Sequence, residues 1–133
     1  MQAESMRSQS IVLGSEPQLF VTDMNAALDF YTGMLGFDLA FTYGEPPFYS
    51  QVVRGAGRMN LRLARGRVFN ADFVEREGDI LSATISLDCA KPLFLEYQRA
   101  GVPFHQKLRT EPWGSRTFIV RDPDGNLIAF AGT

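Results

Sequence analysis

One order of secondary-structure signals runs through this chain and then repeats. In the first pass, EPQLFV (Glu16–Val21) is a short apolar run that reads as a strand, with Pro17 near its start. Asp23 is placed to cap a helix over Met24–Leu35, where Ala27, Leu28, Tyr31, Met34 and Leu35 recur at helical spacing. Gly36 supplies the left-handed end of that helix. The alternating stretch Phe37–Tyr43, the turn Gly44–Pro47, and a hairpin of Phe48–Arg54 and Arg58–Ala64 around Gly55–Gly57 complete the unit. In the second pass, Ile80–Leu87 reads as a strand. Asp88 is placed to cap a helix over Ala90–Ala100, with Leu93, Tyr97 and Ala100 on one face and Pro92 in the first turn. Gly101 ends it, and Val102–Arg109, the turn Glu111–Gly114, Ser115–Arg121 and Leu127–Ala131 follow. Asp23 and Asp88, Leu28 and Leu93, and Gly36 and Gly101 each stand 65 positions apart, and Val53-Arg54 repeats as Val120-Arg121 after 67. This predicts an α+β chain of two βαβββ modules. Each half-sheet buries one face only, so the modules must pack on each other or on a second chain. Open sheet edges make a homodimer the expected partner state.

Length and composition set the limits around that duplication. The 133 residues suffice for a single domain. The first ten residues, MQAESMRSQS, are polar, and residues 1–12 read as a tail, leaving a domain over 13–133, with modules at 13–64 and 80–133 and a charged connector at 65–79. The connector contains a short helical turn near Ala71–Arg76. A net charge of -2 lacks the basic excess of a nucleic-acid binder. No apolar run approaches the roughly 20 residues of a membrane span, and the first residues hold no apolar signal core, so the expected compartment is the cytoplasm. A single Cys excludes an internal disulfide framework, and a single His excludes every site that needs two.

Two segments carry a family resemblance. VTDMNAALDFYTGMLGF (Val21–Phe37) and WGSRTFIVRDPDGNLIAF (Trp113–Phe130) resemble the two signatures of the glyoxalase/bleomycin-resistance/dioxygenase (vicinal oxygen chelate) superfamily, over about residues 16–132. The resemblance implies that the paired modules form a cupped mixed sheet around a ligand cleft. It also implies a divalent metal in the family's enzymes, with ligand positions that fall here at Glu16, near Arg62, at Ser82 and at Ala129. Only Glu16 has metal-binding chemistry, whereas a catalytic site needs about three protein ligands, and Arg62 would repel a cation. The expectation is therefore no metal, no cofactor and no catalytic residue. Trp-Gly-x-Arg ahead of DPDGN resembles the bleomycin-resistance members in particular, which bind an antibiotic in clefts shared by two subunits. The resemblance thus implies non-enzymatic binding of an antibiotic-like, aromatic or organic-acid molecule. A glyoxalase-type lyase or isomerase with a relocated metal is the alternative.

The candidate ligand contacts are Trp113, Arg62, Asn60, Arg116, Phe41, Tyr43 and Tyr49. Trp113, in a turn, is a candidate stacking wall, set against a lid on the sheet edge. Phe41 and Tyr43 share one face of their strand and cluster with Phe48 and Tyr49 around the Gly44–Pro47 turn; half of these are expected to be ordinary core. Alternation puts Arg58, Asn60 and Arg62 opposite Met59, Leu61 and Leu63. If the apolar side packs on the helix, Asn60 and Arg62 face the cleft and can hold a carboxylate or another acceptor. Arg116 is a cleft contact or a surface ion pair. Glu16 is a lone base or a cation contact, with a solvated strand start as the favoured reading. His105 reads as a surface or half-buried side chain, Cys89 as buried packing at a helix start, and Asp72, Glu75, Glu77 and Asp79 as a solvated connector.

Overall fold

The computed structural model describes residues 6–133; of the expected tail, residues 1–5 lie outside the described part. Strand β1 (Gln18–Val21) leads through the N-cap Asp23, whose carboxylate accepts the Ala26 amide at 3.1 Å, into α1 (Met24–Leu28). The helix then widens into a π-helical turn over Asp29–Met34. This departs from the uniform α-helix read from the spacing, and its cause is local. The Thr32 hydroxyl donates to the Leu28 carbonyl at 2.6 Å, the acceptor that the α pattern reserves for the Thr32 amide, and Leu35 reaches back to the Phe30 carbonyl instead. Gly36, at φ +72°, turns the chain out of the helix. Strands β2 (Asp38–Tyr43), β3 (Tyr49–Arg54) and β4 (Gly57–Leu63) complete the first module.

Helix α2 (Ala71–Glu77) lies in the connector, capped by the Asn70 side chain on the Phe73 amide. The second module follows as β5 (Leu81–Ser86), α3 (Ala90–Arg99), β6 (Phe104–Thr110), β7 (Arg116–Arg121) and β8 (Leu127–Gly132). Asp88 is not its helix cap. The cap residue is Cys89, without a side-chain bond, and the Asp88 carboxylate accepts the adjacent Cys89 amide at 2.6 Å instead of a first-turn amide. The Thr133 carbonyl takes the Ala90 amide that a cap at Asp88 would have served. Cys89 is also exposed, not packed as expected, because the position before the first helical turn lies outside the buried stripe of Ala90 and Tyr97.

The strands form two four-stranded mixed sheets of the same topology, β1-β4-β3-β2 and β5-β8-β7-β6, with the first strand of each module parallel to its last. One face of each sheet joins a single core. Leu19, Val21, Tyr31, Leu35, Met59 and Leu61 from the first module merge there with Tyr97, Phe118, Val120, Ile128 and Phe130 from the second. Phe118 and Phe130 stack at 5.0 Å with Tyr97 edge-on to both. Polar contacts lock the halves. The Tyr97 hydroxyl donates to the Leu35 carbonyl at 2.7 Å and the Tyr31 hydroxyl to Asp122 at 2.8 Å. Arg54 makes a two-pronged contact with Glu96 at 2.7 and 2.9 Å. Among the described residues no helix is long and apolar enough to cross a membrane.

Candidate functional site

The hairpin of β3 and β4 fixes which side chains share a face. Its turn is two residues, Gly55 and Ala56, so Arg54 pairs with Gly57, Gln51 with Asn60 and Tyr49 with Arg62. Because Met59 and Leu61 are in the core, their neighbours along β4 point to the opposite, open face. The registers to β1 and β2 extend this into two rows across the first sheet. One is Phe20, Arg62, Tyr49, Tyr43; the other is Gln18, Asn60, Gln51, Phe41. Five of the seven candidate contacts therefore stand together: Phe41, Tyr43, Tyr49, Asn60 and Arg62.

The rows differ in character. In the first, the Arg62 guanidinium lies over the Phe20 ring, 5.8 Å from its centroid, and no acid bonds it among the described residues. Tyr43 is 68% exposed and meets Phe48 edge-on; Phe41, 44% exposed, lies 6.0 Å from Tyr49 at a tilt. The second row is closed by hydrogen bonds. The Gln51 amide nitrogen donates to Asn60 Oδ1 at 2.9 Å and to Glu16 Oε1 at 3.1 Å. Asn60 Nδ2 donates to the same Glu16 oxygen at 3.3 Å, and Arg58 donates to Gln51 Oε1 at 3.1 Å. Asn60 and Gln51 are buried, and the network takes both Gln51 amide hydrogens and one of the two on Asn60. Asn60 thus supports the network and keeps one amide hydrogen without a partner among the described residues.

Trp113 and Arg116 belong to the other sheet. The turn between β6 and β7 is built on Glu111, whose nearly buried carboxylate accepts from Arg109 at 2.6 Å and from Thr117 at 2.7 Å. The Arg109 contact, helped by Thr117, holds that carboxyl below the usual range. Trp113 projects from this braced turn, 74% exposed. Arg116 pairs with Gly132, in alternation with Phe118 and Phe130, and so starts β7 on the core-facing side. Elsewhere on this module His105 is half-buried between Asp79, at 2.7 Å from Nε2, and Arg121, at 2.9 Å from Nδ1. Asp79 is accordingly tied down while the rest of the connector's acids are solvated. At the module junction a cavity of about 440 Å³ is lined by Phe37, Arg58, Ile85, Leu93 and Phe130.

The positions where the family's enzymes hold a metal do not fit one here. Ser82 spends its hydroxyl on Asn126 at 2.8 Å, Ala129 packs with Ile119 and Leu127, Arg62 is cationic, and Glu16 Oε1 is occupied by two amide donors. Among the described residues no three of His, Cys, Asp or Glu converge.

Gln51 and Phe20 were not singled out from the sequence, although the signal existed. Once the two-residue turn is placed, Gln51 must face Asn60, and the parallel strand brings Phe20 beside Arg62.

The sequence of residues 13–130 matches the model of the glyoxalase/bleomycin resistance protein/dioxygenase superfamily, and the chain belongs to that family. No curated protein sequence matches it. Among solved structures it is similar to the bleomycin-binding protein from bleomycin-producing Streptomyces verticillus complexed with copper(II)-bleomycin. That match has 25% identity and a TM-score of 0.72, covering 94% of this chain and 99% of that one. TnmS3, an antibiotic binding protein from Streptomyces sp. CB03234, is also 25% identical, with a TM-score of 0.68 over 94% and 98% of the two chains. Lactoylglutathione lyase from Agrobacterium tumefaciens, 19% identical with a TM-score of 0.66 over 94% of each chain, shares the fold.

Proposed function

We propose that this protein binds a small aromatic, acceptor-bearing molecule of the antibiotic or organic-acid kind and sequesters it without reaction, as a homodimer. The observation that carries this reading is the row Phe20, Arg62, Tyr49, Tyr43: partly exposed rings flank a guanidinium that no acid among the described residues bonds. Rings supply stacking area and Arg62 a directional donor, which is the usual composition of a small-molecule site. The two antibiotic-binding structures at 25% identity support the same class of ligand. A second copy supplies what a single chain separates, because Trp113 projects from the second sheet and can close over the first sheet of a partner. Ile11, Val12 and Leu13, each more than 80% exposed, add apolar surface for such an association.

The chain's single tryptophan makes a direct test. Sedimentation is expected to give a dimer. Titration with aromatic antibiotics, bleomycin among them, is expected to quench Trp113 and raise the melting temperature with the logarithm of ligand concentration. Arg62→Ala is expected to weaken binding about tenfold or more, near 1.4 kcal/mol, without changing the melting temperature of the free protein. A large stabilisation by nickel, zinc, manganese or iron, with none by any aromatic ligand, would overturn the reading in favour of a lyase.

A further inference from the structure

Glu16 stands at the edge of the first sheet's open face, and the sheet is arranged to hold it. Two amide side chains are buried on a face that is otherwise open, Gln51 at 7% and Asn60 at 8% exposure. Burying an amide is unfavourable unless its hydrogen bonds are made. Here every amide oxygen and at least one hydrogen of each amide is engaged, and both nitrogens converge on one carboxylate oxygen, Glu16 Oε1. Arg58 fixes the sense of the chain, since its donation to Gln51 Oε1 forces the Gln51 nitrogen towards Glu16 and Asn60. Such a network is preorganised, and its product is an oriented carboxylate whose second oxygen, Oε2, has no partner among the described residues.

Arg62 lies on the same face, two residues beyond Asn60 along β4. That spacing is about 7 Å at the usual rise of a strand. The Phe20 ring lies under the guanidinium, and Tyr49 pairs across from it. The face thus presents an anchored negative oxygen and a positive fork that no acid among the described residues bonds, with aromatic surface beside them. We propose that Glu16 is a specificity-determining contact, and that the ligand of this face is a flat aromatic molecule carrying a cationic or N–H donor group for Glu16 Oε2 and, at its other end, a carboxylate or similar acceptor for Arg62. This rests on the aromatic-binding reading and narrows it from an acceptor-bearing ligand to an amphoteric one.

Three probes with one ring system separate the terms: 6-(aminomethyl)-2-naphthoic acid, its methyl ester, and 2-naphthoic acid. Each is titrated into the full chain, with the backbone and side-chain amide NMR signals of Gln51, Asn60 and Tyr49 as the readout. The zwitterion is expected to bind at least tenfold more tightly than 2-naphthoic acid. Glu16→Gln is expected to erase that preference while changing the affinity for 2-naphthoic acid less than twofold. Arg62→Ala is expected to weaken both acids tenfold or more and the ester, whose carbonyl accepts without a charge, by clearly less. If 2-naphthoic acid binds at these residues but the zwitterion gains nothing, or if Glu16→Gln keeps the preference, the role of Glu16 is wrong and the aromatic-binding reading stands. If no probe moves these signals, the reading beneath it falls and the inference falls with it.

Discussion

Asp122→Ala is expected to destabilise the protein by about 3–5 kcal/mol, because several buried neutral donors lose their acceptor together at about 1–3 kcal/mol each, less what relaxation recovers. Asp122 is 3% exposed and accepts four hydrogen bonds. They come from the Tyr31 hydroxyl at 2.8 Å, Asn126 Nδ2 at 2.9 Å, and the backbone amides of Asp124 and Asn126 at 2.9 and 2.8 Å. Alanine strands all four donors, in a turn that also binds the first module through Asn126 to the Phe20 carbonyl and Asp124 to Thr22. The loss therefore loosens the joint between modules as well as the turn. Asp122→Asn should cost less, because the amide oxygen still serves the two backbone donors. Burial, outweighing these bonds, pushes the Asp122 carboxyl upward. Its linked stability is thus fully present below the unfolded value near pH 3.9 and falls as pH rises through the raised one. Chemical denaturation of the two variants measures both points: equal losses in Ala and Asn, or a loss under 1 kcal/mol in Ala, would show that Asp122 is not the tie described.

The duplicated pattern was readable because it rests on local chemistry. Asp23 caps its helix, Gly36 and Gly101 take positive φ, and β4 alternates Met59 and Leu61 inward with Asn60 and Arg62 outward. The failures are places where distant parts of the chain intervene. The widened helix follows from the Thr32 hydroxyl competing for a carbonyl, and the Asp88 cap is displaced by Thr133, 45 residues away. The site was half legible for the same reason. Side chains along one strand can be assigned to a face from alternation, but which rows they join depends on register. Alternation put Asn60 on the open face, but only pairing shows that Gln51 and Glu16 engage its oxygen and one of its hydrogens. The duplication puts Trp113 and Arg116 in the second module, but alternation alone does not say how far that separates them from the first sheet's open face.

Stability is expected to collapse in alkali more steeply than for a protein with exposed tyrosines only. Tyr31 and Tyr97 are each fully buried, and both donate their hydroxyls across the module junction, to Asp122 and to the Leu35 carbonyl. Ionisation would remove each donor and set a phenolate in the core, beside a carboxylate at Tyr31 and a carbonyl oxygen at Tyr97. Burial is the main reason that both phenols are pushed well above their ordinary value near 10. Above pH 10 the unfolded chain gives up two protons that the native protein keeps, so the native state binds more protons and stability falls with rising pH. Below pH 10 this contribution is complete. Each withheld proton steepens the fall by about 1.4 kcal/mol per pH unit, so the pair gives about 2.7 kcal/mol per unit. A domain with an ordinary margin of about 5–15 kcal/mol would lose much of it between pH 10 and 12. Urea unfolding at stepped pH measures the slope. Tyr97→Phe and Tyr31→Phe are each expected to halve it, and the double variant to flatten it. An unchanged slope in both single variants would mean that these hydroxyls do not hold the halves together.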